Sequence, residues 1–347
     1  MNNNRFLNII YAIEGLNSRL NGSYKDVEGY AGGNDNITFT KKINKKAYVS
    51  APCVKKNIKD FMQNEGYEIS TYKKNGSQIV SSSHPARFVN EDIFGMMLAS
   101  KEEITEEEYN KLDDEMKKLY KVNKKNYTRN ITKKRKANFM LNGIIGVNTG
   151  RIYREFGVCK AKNESMPYKL ETYSDILVGL GNFNINETAK FNISDDTTEF
   201  RDYSIKEAKV LDVKEELSKE EKFNRIKTAL RGLQYLSLKS NQSNYLTDTM
   251  PKVVILGEYK WGNNVFQGLI NKDGINIDGI KEVIEEYDDF RNSKIWIGVS
   301  SRILNENFQG LKGKLEEELK YYDDIEIGTI KNAFNGYLEY LKKTMLF

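Results

Sequence analysis

The sequence predicts an α+β fold, a sheet with helices on one face and polar insertions between its elements. Three features point there. The chain opens on a run that is apolar on both faces, helical apolar stripes alternate with β-favouring runs, and two stretches, 66–136 and 184–210, interrupt that alternation with polar sequence.

The first element, Arg5 to Leu20, reads as a strand. Phe6, Ile10, Ala12 and Leu16 mix with Leu7, Ile9, Tyr11 and Ile13, so both faces are apolar and the strand belongs in a sheet centre. Asn21 to Asn36 reads as a loop with Gly22, Gly29, Gly32 and Gly33. From Ile37 to Ser50 two β-favouring runs flank the tip Lys41-Lys42-Ile43-Asn44-Lys45-Lys46, a basic hairpin.

Ser50-Ala51-Pro52 then starts a helix, with Ser50 as the cap and Pro52 in the first turn, where its missing N–H costs least. The helix should run to Asn64. Val54, Ile58, Phe61 and Met62 share one face, which leaves Lys55, Lys56 and Lys59 as a basic ridge above a buried stripe.

The 66–136 insertion holds a short apolar piece at Ile93 to Ala99 and an acidic helix opened by the Thr105-x-x-Glu108 capping box. It ends in Lys117 to Lys136, which has ten Lys or Arg and no acid, interleaved with Tyr120 and Tyr127. Ala137 to Val147 and Leu170 to Phe183 read as strands, and Asn184 to Val210 as a protruding hairpin or loop.

A second capping box, Ser218-x-x-Glu221, opens a helix with the stripe Phe223, Ile226, Leu230, Leu233 and Leu236. Strands at Lys252 to Tyr259 and Lys294 to Val299 follow, separated by a helix. Ile330, Phe334, Tyr337, Leu338 and Leu341 give the last helix, docked on the core. A ferredoxin-like, RNA-recognition-type core with insertions fits this order best.

The 347 residues carry a net charge of +5, which conceals an asymmetry. Residues 1 to 175 hold 30 Lys and Arg against 21 Asp and Glu, net +9, and the remainder 24 against 28, net −4. Unlike halves suggest a basic surface for a polyanion and an acidic one that could dock a neighbour's basic side; the alternative is a merely solvated surface. Cys53 and Cys159 stand far apart without metal-ligand spacing and read as reduced core thiols. The start lacks a signal peptide's basic and apolar runs, and no stretch approaches the roughly 18 apolar residues of a membrane span, so a cytoplasmic protein with no membrane partner is expected.

Residues suited to catalysis do not assemble into a motif. His84 has no nucleophile at a recognisable spacing and reads as a loop residue. Gly310-Leu-Lys-Gly-Lys314 lacks the spacer and the Ser/Thr of a phosphate loop, and Gly179-Leu-Gly181 lacks a third glycine and reads as a sheet kink. The pairs Asp113-Asp114, Asp195-Asp196 and Asp288-Asp289 sit in polar runs. No cofactor or metal is expected. Lys41 to Lys46, Lys55 to Lys59 and Lys117 to Lys136, in contrast, cluster in one half, as a phosphate-tracking groove for single-stranded RNA requires.

Gly32-Gly-Asn-Asp-Asn-Ile-Thr-Phe-Thr-Lys-Lys, Ala47-Tyr-Val-Ser50-Ala and the basic helix resemble the N-terminal signature of DevR-type, type I-B Cascade backbone subunits, the Cas-seven family of CRISPR interference complexes. Glu91-Asp-Ile-Phe-Gly95-Met-Met resembles that family's finger segment, Lys134-Arg-Lys-Ala-Asn-Phe-Met-Leu-Asn-Gly-Ile-Ile the strand returning to its palm, and Leu246-Thr-Asp-Thr-Met-Pro251-Lys-Val-Val a later segment. These blocks span residues 5 to 260.

The resemblance implies a palm at 1–65, 137–183 and 211–347, a finger-like insertion at 66–136 and a thumb at 184–210. It implies a non-catalytic scaffold of which several copies polymerise along one guide RNA (crRNA) and present it to target DNA, together with other Cascade subunits, in antiviral defence. Carried over by position, Lys41, Lys42, Lys45, Lys46, Ser50, Lys55, Lys56 and Lys59 would line the guide groove, with Arg135 and Lys136 at the finger base. Lysines stand on the helix where relatives often have arginine, which gives point charges in place of bidentate contacts. The alternatives are a type III-like subunit cleaving target RNA through Asp35, and a stand-alone RNA-binding regulator.

Overall fold

In a computed structural model of the chain, residues 4–21, 37–75, 78–80, 82–98, 101–118, 120–123, 126–130, 132–160, 164–195 and 200–346 are described. The chain forms two compact units, one of Met1–Glu65, Phe139–Asn186 and Ile226–Phe347, the other of Gly66–Asn138 and Glu187–Arg225.

The elements of the sheet and its helices are, in chain order, β1 (Phe6–Ser18), β2 (Lys42–Ile43), β3 (Lys46–Val49), α1 (Ala51–Asn64), β4 (Phe139–Leu141), β5 (Ile144–Gly146), β6 (Ile152–Lys160) and β7 (Ser165–Asn184). They continue with α2 (Lys219–Gln234), β8 (Val253–Tyr259), α3 (Ile277–Tyr287), β9 (Arg291–Val299), α4 (Leu311–Glu318), β10 (Ile325–Gly328) and α5 (Ile330–Leu346).

Leu7 to Ile13 have no exposed surface on either face of β1. A strand of that kind needs a partner on each edge and cover on each side. It pairs antiparallel with β7 and with β8, in a sheet ordered β10-β9-β8-β1-β7-β5-β3-β2, with β4 and β6 also paired to β7. One pattern occurs twice at its centre. The chain passes from β1 through α1 to β5, with β7 between those strands, and from β7 through α2 to β8, with β1 between them. All of these pairs are antiparallel.

Alternation along the strands sends side chains to two sides. Ile10, Ala12, Val253, Ile255, Ile295 and Ile297 pack against Ile277, Ile280 and Val283 of α3 and Leu311 and Leu315 of α4. Each such buried Val, Leu or Ile side chain contributes about 1.5–3 kcal/mol. The opposite side carries α5: a Cβ on Gly298 would stand 2.9 Å from the Ile330 Cα, and Trp296 meets Tyr337 edge-on at 5.8 Å. Arg231 of α2 donates to Asn335 of α5 at 2.6 Å, and Ile58 of α1 lies against Gly232.

Helices therefore cover both faces, not one. The two-sided apolar pattern of β1 already demanded this. Gly179 does not kink the sheet, because the β1–β7 register is unbroken from Phe6 to Gly15; it leaves room for Tyr11, whose Cζ would lie 2.5 Å from a Cβ there.

The strand expected from Leu170 starts at Ser165, and with β6 it makes a two-stranded ribbon, paired from Ile152↔Tyr173 to Lys160↔Ser165. The ribbon is exposed enough to leave Phe156 at 65% and Met166 at 59%. Cys159, on this ribbon, is exposed and not a core thiol, while Cys53 is half-buried.

In the second unit, Thr105 caps Glu106–Asn110 through the expected box, its Oγ1 accepting from Glu108 N–H and its own N–H donating to the Glu108 carboxylate at 2.9 Å. The stretch 184–210 departs from a protruding polar arm. Phe191, Tyr203 and Ala208 form a small core with Ala86, Ile193, Val213 and Leu217, and Ser204 and Glu207 cap the helix Ile205–Val210. Those apolar residues are too widely spaced to show a period, so turns carry what the sequence pattern does not. Among the described residues, no helix is long and apolar enough to cross a membrane.

Candidate nucleic-acid interface

The basic hairpin is β2 and β3, with Lys42 opposite Ala47 and Ile43 opposite Lys46. Its turn residues Asn44 and Lys45 have φ of 49° and 63°, the left-handed pair that a two-residue hairpin uses. Lys45 is thereby placed exposed at the tip.

The hairpin is tied to α1 through the end of β1. Asn21 donates to the Tyr48 carbonyl and accepts the Ser50 N–H at 3.2 Å, and the Cys53 thiol donates to the Leu20 carbonyl at 3.5 Å. Ser50 occupies the cap position of α1, but its side chain makes no cap bond; Pro52 is in the first turn as expected.

Val54, Ile58 and Met62 are buried, and Phe61 stacks on Tyr235 at 6.1 Å. Lys55 and Lys59 stand one turn apart beside that stripe. Burial lowers the Lys55 pKa and the Lys59 charge lowers it further, the mark of two ammonium groups sharing one neighbourhood. Burial raises the Cys53 thiol pKa and the Lys41 ammonium opposes it, so the foot of the hairpin and the first turn of α1 are close enough to interact electrostatically.

Some of the cations have acidic partners. Lys56 pairs with Asp60 one turn on. Lys42 is held by the buried Glu171 carboxylate at 2.7 Å and lies 5.7 Å from the Phe39 ring. The same Glu171 accepts the Thr40 N–H at 3.3 Å and has Arg154 at 3.8 Å. Glu171 lies at the start of the strand expected from Leu170, and Arg154 lies opposite it on β6, which the sequence pattern did not mark because that strand is exposed on both faces and carries no apolar alternation. Arg19, near the end of the first strand, is likewise marked by no sequence pattern.

Arg135 and Lys136 lie in the other unit. Arg135 does not serve as a surface cation, as its side chain is 7% exposed and its guanidinium is spent internally. It donates to the Asp92 carboxylate and carbonyl, to Asp202 at 2.6 Å, and to the carbonyls of Lys190 and Glu187 at 2.9 and 3.2 Å. Lys133 is likewise buried, against Glu207 at 2.7 Å. Lys136 is exposed, 4.7 Å from the Phe200 ring. The basic run of 117–136 is thus divided between surface and structural cations.

His84 is a loop residue, its Nδ1 2.7 Å from the Tyr203 hydroxyl. Asp35 and the glycines of its loop lie outside the described residues. A cavity of about 920 Å³ lined by residues such as Tyr235, Pro251, Leu304 and Phe308 includes none of the candidate lysines.

No protein-family model matches the sequence, and no curated protein matches it significantly. Solved structures do match in fold. A chain described as "CRISPR RNA-guided surveillance complex" aligns with a TM-score of 0.50 at 9% identity, over 96% of this chain and 99% of that one. A chain described as "CRISPR RNA-guided surveillance complex, pre-nicking" gives 0.53 at 9% identity, over 97% and 99%. The protein is thus a mixed α/β chain, with a large sheet and several helices, whose fold is that of chains in such complexes.

Proposed function

We propose that this protein is a Cascade component, and within that class a guide-RNA-binding backbone subunit of a type I-B-like complex, working without chemistry of its own in the cytoplasm. The observation that carries the reading is the fold likeness, which spans nearly all of both chains. The two interleaved β-α-β crossovers support a ferredoxin-like, RNA-recognition-type palm.

In this reading the hairpin and α1 supply Lys41, Lys45, Lys46, Lys55 and Lys59 to a phosphate-tracking groove, which recognises the backbone of the guide and leaves its bases for target DNA. The ribbon of β6 and β7 takes the place expected of the thumb at 184–210, because it is the paired segment that projects exposed aromatic and apolar side chains. Copies of the chain and other Cascade subunits are its partners.

Light scattering with and without a long single-stranded RNA tests the proposal. Several copies per RNA, rising with RNA length, are expected; one copy regardless of length would leave a stand-alone RNA binder, and no binding would remove the function.

A further inference from the structure

We propose that the cavity at the carboxyl ends of β9 and β10 binds a nucleoside monophosphate, its phosphate on the first turn of α4 with Arg302, Lys312 and Lys331, and its base against Tyr235, Pro251 and Leu304. The site is separate from the RNA groove proposed above and does not rest on it.

β9 and β10 are parallel neighbours, in register from Ile295↔Ile325 to Gly298↔Gly328. The chain leaves β9 for α4, whose Leu311 and Leu315 pack on one side of the sheet, and leaves β10 for α5 on the other. Adjacent parallel strands whose helices part to opposite faces leave a crevice outside their carboxyl ends, where open α/β sheets take ligands. Here the crevice holds about 920 Å³, a volume suited to a small molecule, and its walls belong to one compact unit.

The lining selects a sign of charge. Arg302, Lys312 and Lys331 contribute to it and no acidic residue does, although the chain beyond residue 175 carries 28 acids against 24 bases. Arg302 and Lys312 each reach one acid outside the lining, Asp248 at 3.3 Å and Glu316 at 3.5 Å. Exposed pairs of that kind are weak and yield to a phosphate.

Gly310-Leu-Lys-Gly-Lys314, too short for a phosphate loop, forms the first turn of α4. Gly310 holds the cap position with φ of 69° and makes no side-chain cap bond, so the N–H groups of this turn have no side-chain acceptor from it. Gly313 stands at the third helical position, where glycine weakens the helix, and a Cβ on it would meet nothing within 4 Å. Packing does not require a glycine there, whereas close approach of a ligand to the backbone does. The start of α5 differs, since Thr329 Oγ1 accepts the Asn332 N–H at 3.2 Å. Lys314 is followed by leucine in place of the Ser or Thr that holds a metal ion in a phosphate loop, so binding is inferred and hydrolysis is not.

The loop that carries Arg302 and Leu304 is fixed by the buried Glu14 of β1, whose carboxylate accepts the Leu304 and Asn305 N–H groups at 3.0 and 2.8 Å. Leu304 and Tyr235 line the cavity while 61% and 43% exposed. The Tyr235 ring is backed by Phe61, and a nucleobase stacks on such a supported aromatic.

Isothermal titration of the full chain at low salt with AMP, CMP, GMP and UMP, and with inorganic phosphate and adenosine, is the test. At least one nucleotide is expected to bind about tenfold or more tightly than either fragment. Gly313→Glu puts an acid in the first turn of α4, which favours the helix and repels a phosphate. It should melt no lower than wild type and weaken the nucleotide about tenfold or more, the loss of a charge-assisted contact. Lys331→Ala should weaken binding in the same direction. Absence of nucleotide binding, inorganic phosphate or adenosine binding as tightly as the nucleotide, or unchanged affinity in Gly313→Glu overturns the inference. Saturating oligouridylate should leave the nucleotide bound; displacement would place it in the RNA groove and overturn the site, whereas failure of RNA to bind at all would remove the proposed function and leave this site standing.

Discussion

Arg135 and Asp92 form a buried ion pair, and the second oxygen of the same carboxylate takes Arg225 at 2.9 Å. One anion thus holds two cations that are far apart in the chain. Asn138 and the Ala189 N–H complete its coordination, at 3.3 and 3.1 Å.

Removing one partner of such a group leaves an uncompensated charge in the interior. Arg135→Ala is expected to destabilise the second unit by about 3–5 kcal/mol, read from denaturant unfolding. Lys136→Ala, one residue on and exposed, should change stability by no more than about 0.5 kcal/mol. Equal effects of the two would contradict the division of the basic run into structural and surface cations.

The hairpin and α1 lysines make a quantitative prediction for RNA binding. A site neutralising about five phosphates should lose roughly three orders of magnitude in affinity for a tenfold rise in salt. Lys45→Ala and Lys46→Ala should each lower the slope, whereas Lys56→Ala, whose ammonium is already paired with Asp60, should lower it less. Anisotropy titrations at several salt concentrations provide the check, and a flat dependence would contradict the groove.

The sequence contains one histidine, His84. Burial lowers its pKa, with Glu91 opposing and Arg87 and Lys133 reinforcing the shift. The unfolded imidazole takes up its proton near about pH 6.5 and the folded one only at lower pH. Across that window the unfolded chain binds more protons, so stability rises with pH. The contribution is fully present above about 6.5 and is lost as pH falls from there toward the lower folded value. His84→Gln should flatten this part of the stability profile; an unchanged profile would show that the imidazole is not shifted.

Gly298 faces the Ile330 backbone at a distance that no side chain fits. Gly298→Ala must push α5 off β9 and is expected to cost about 1–3 kcal/mol by overpacking, visible as a lower melting temperature. A variant as stable as wild type would mean that α5 is not seated where the fold places it.

Several of these elements were legible in the sequence. The β1 run, the hairpin tip at Asn44-Lys45, the stripes of α1, α2 and α5, and the Thr105 box are local patterns that survive folding unchanged. What escaped was set by partners distant in sequence. Arg135 and Lys136 are adjacent cations of one run, and only Asp92, Asp202 and two carbonyls make the first of them structural. The ribbon gave no signal because neither face of β6 is buried, and the 184–210 stretch hid a core built from Phe191, Tyr203 and Ala208 without any regular spacing.

The most direct test of the central claim is nuclease protection of single-stranded RNA at increasing protein concentration. The groove formed by the hairpin and α1, repeated along successive copies, predicts protected lengths that grow in constant steps on RNAs of unrelated sequence. Protection confined to one fixed segment, or none at any concentration, would contradict it.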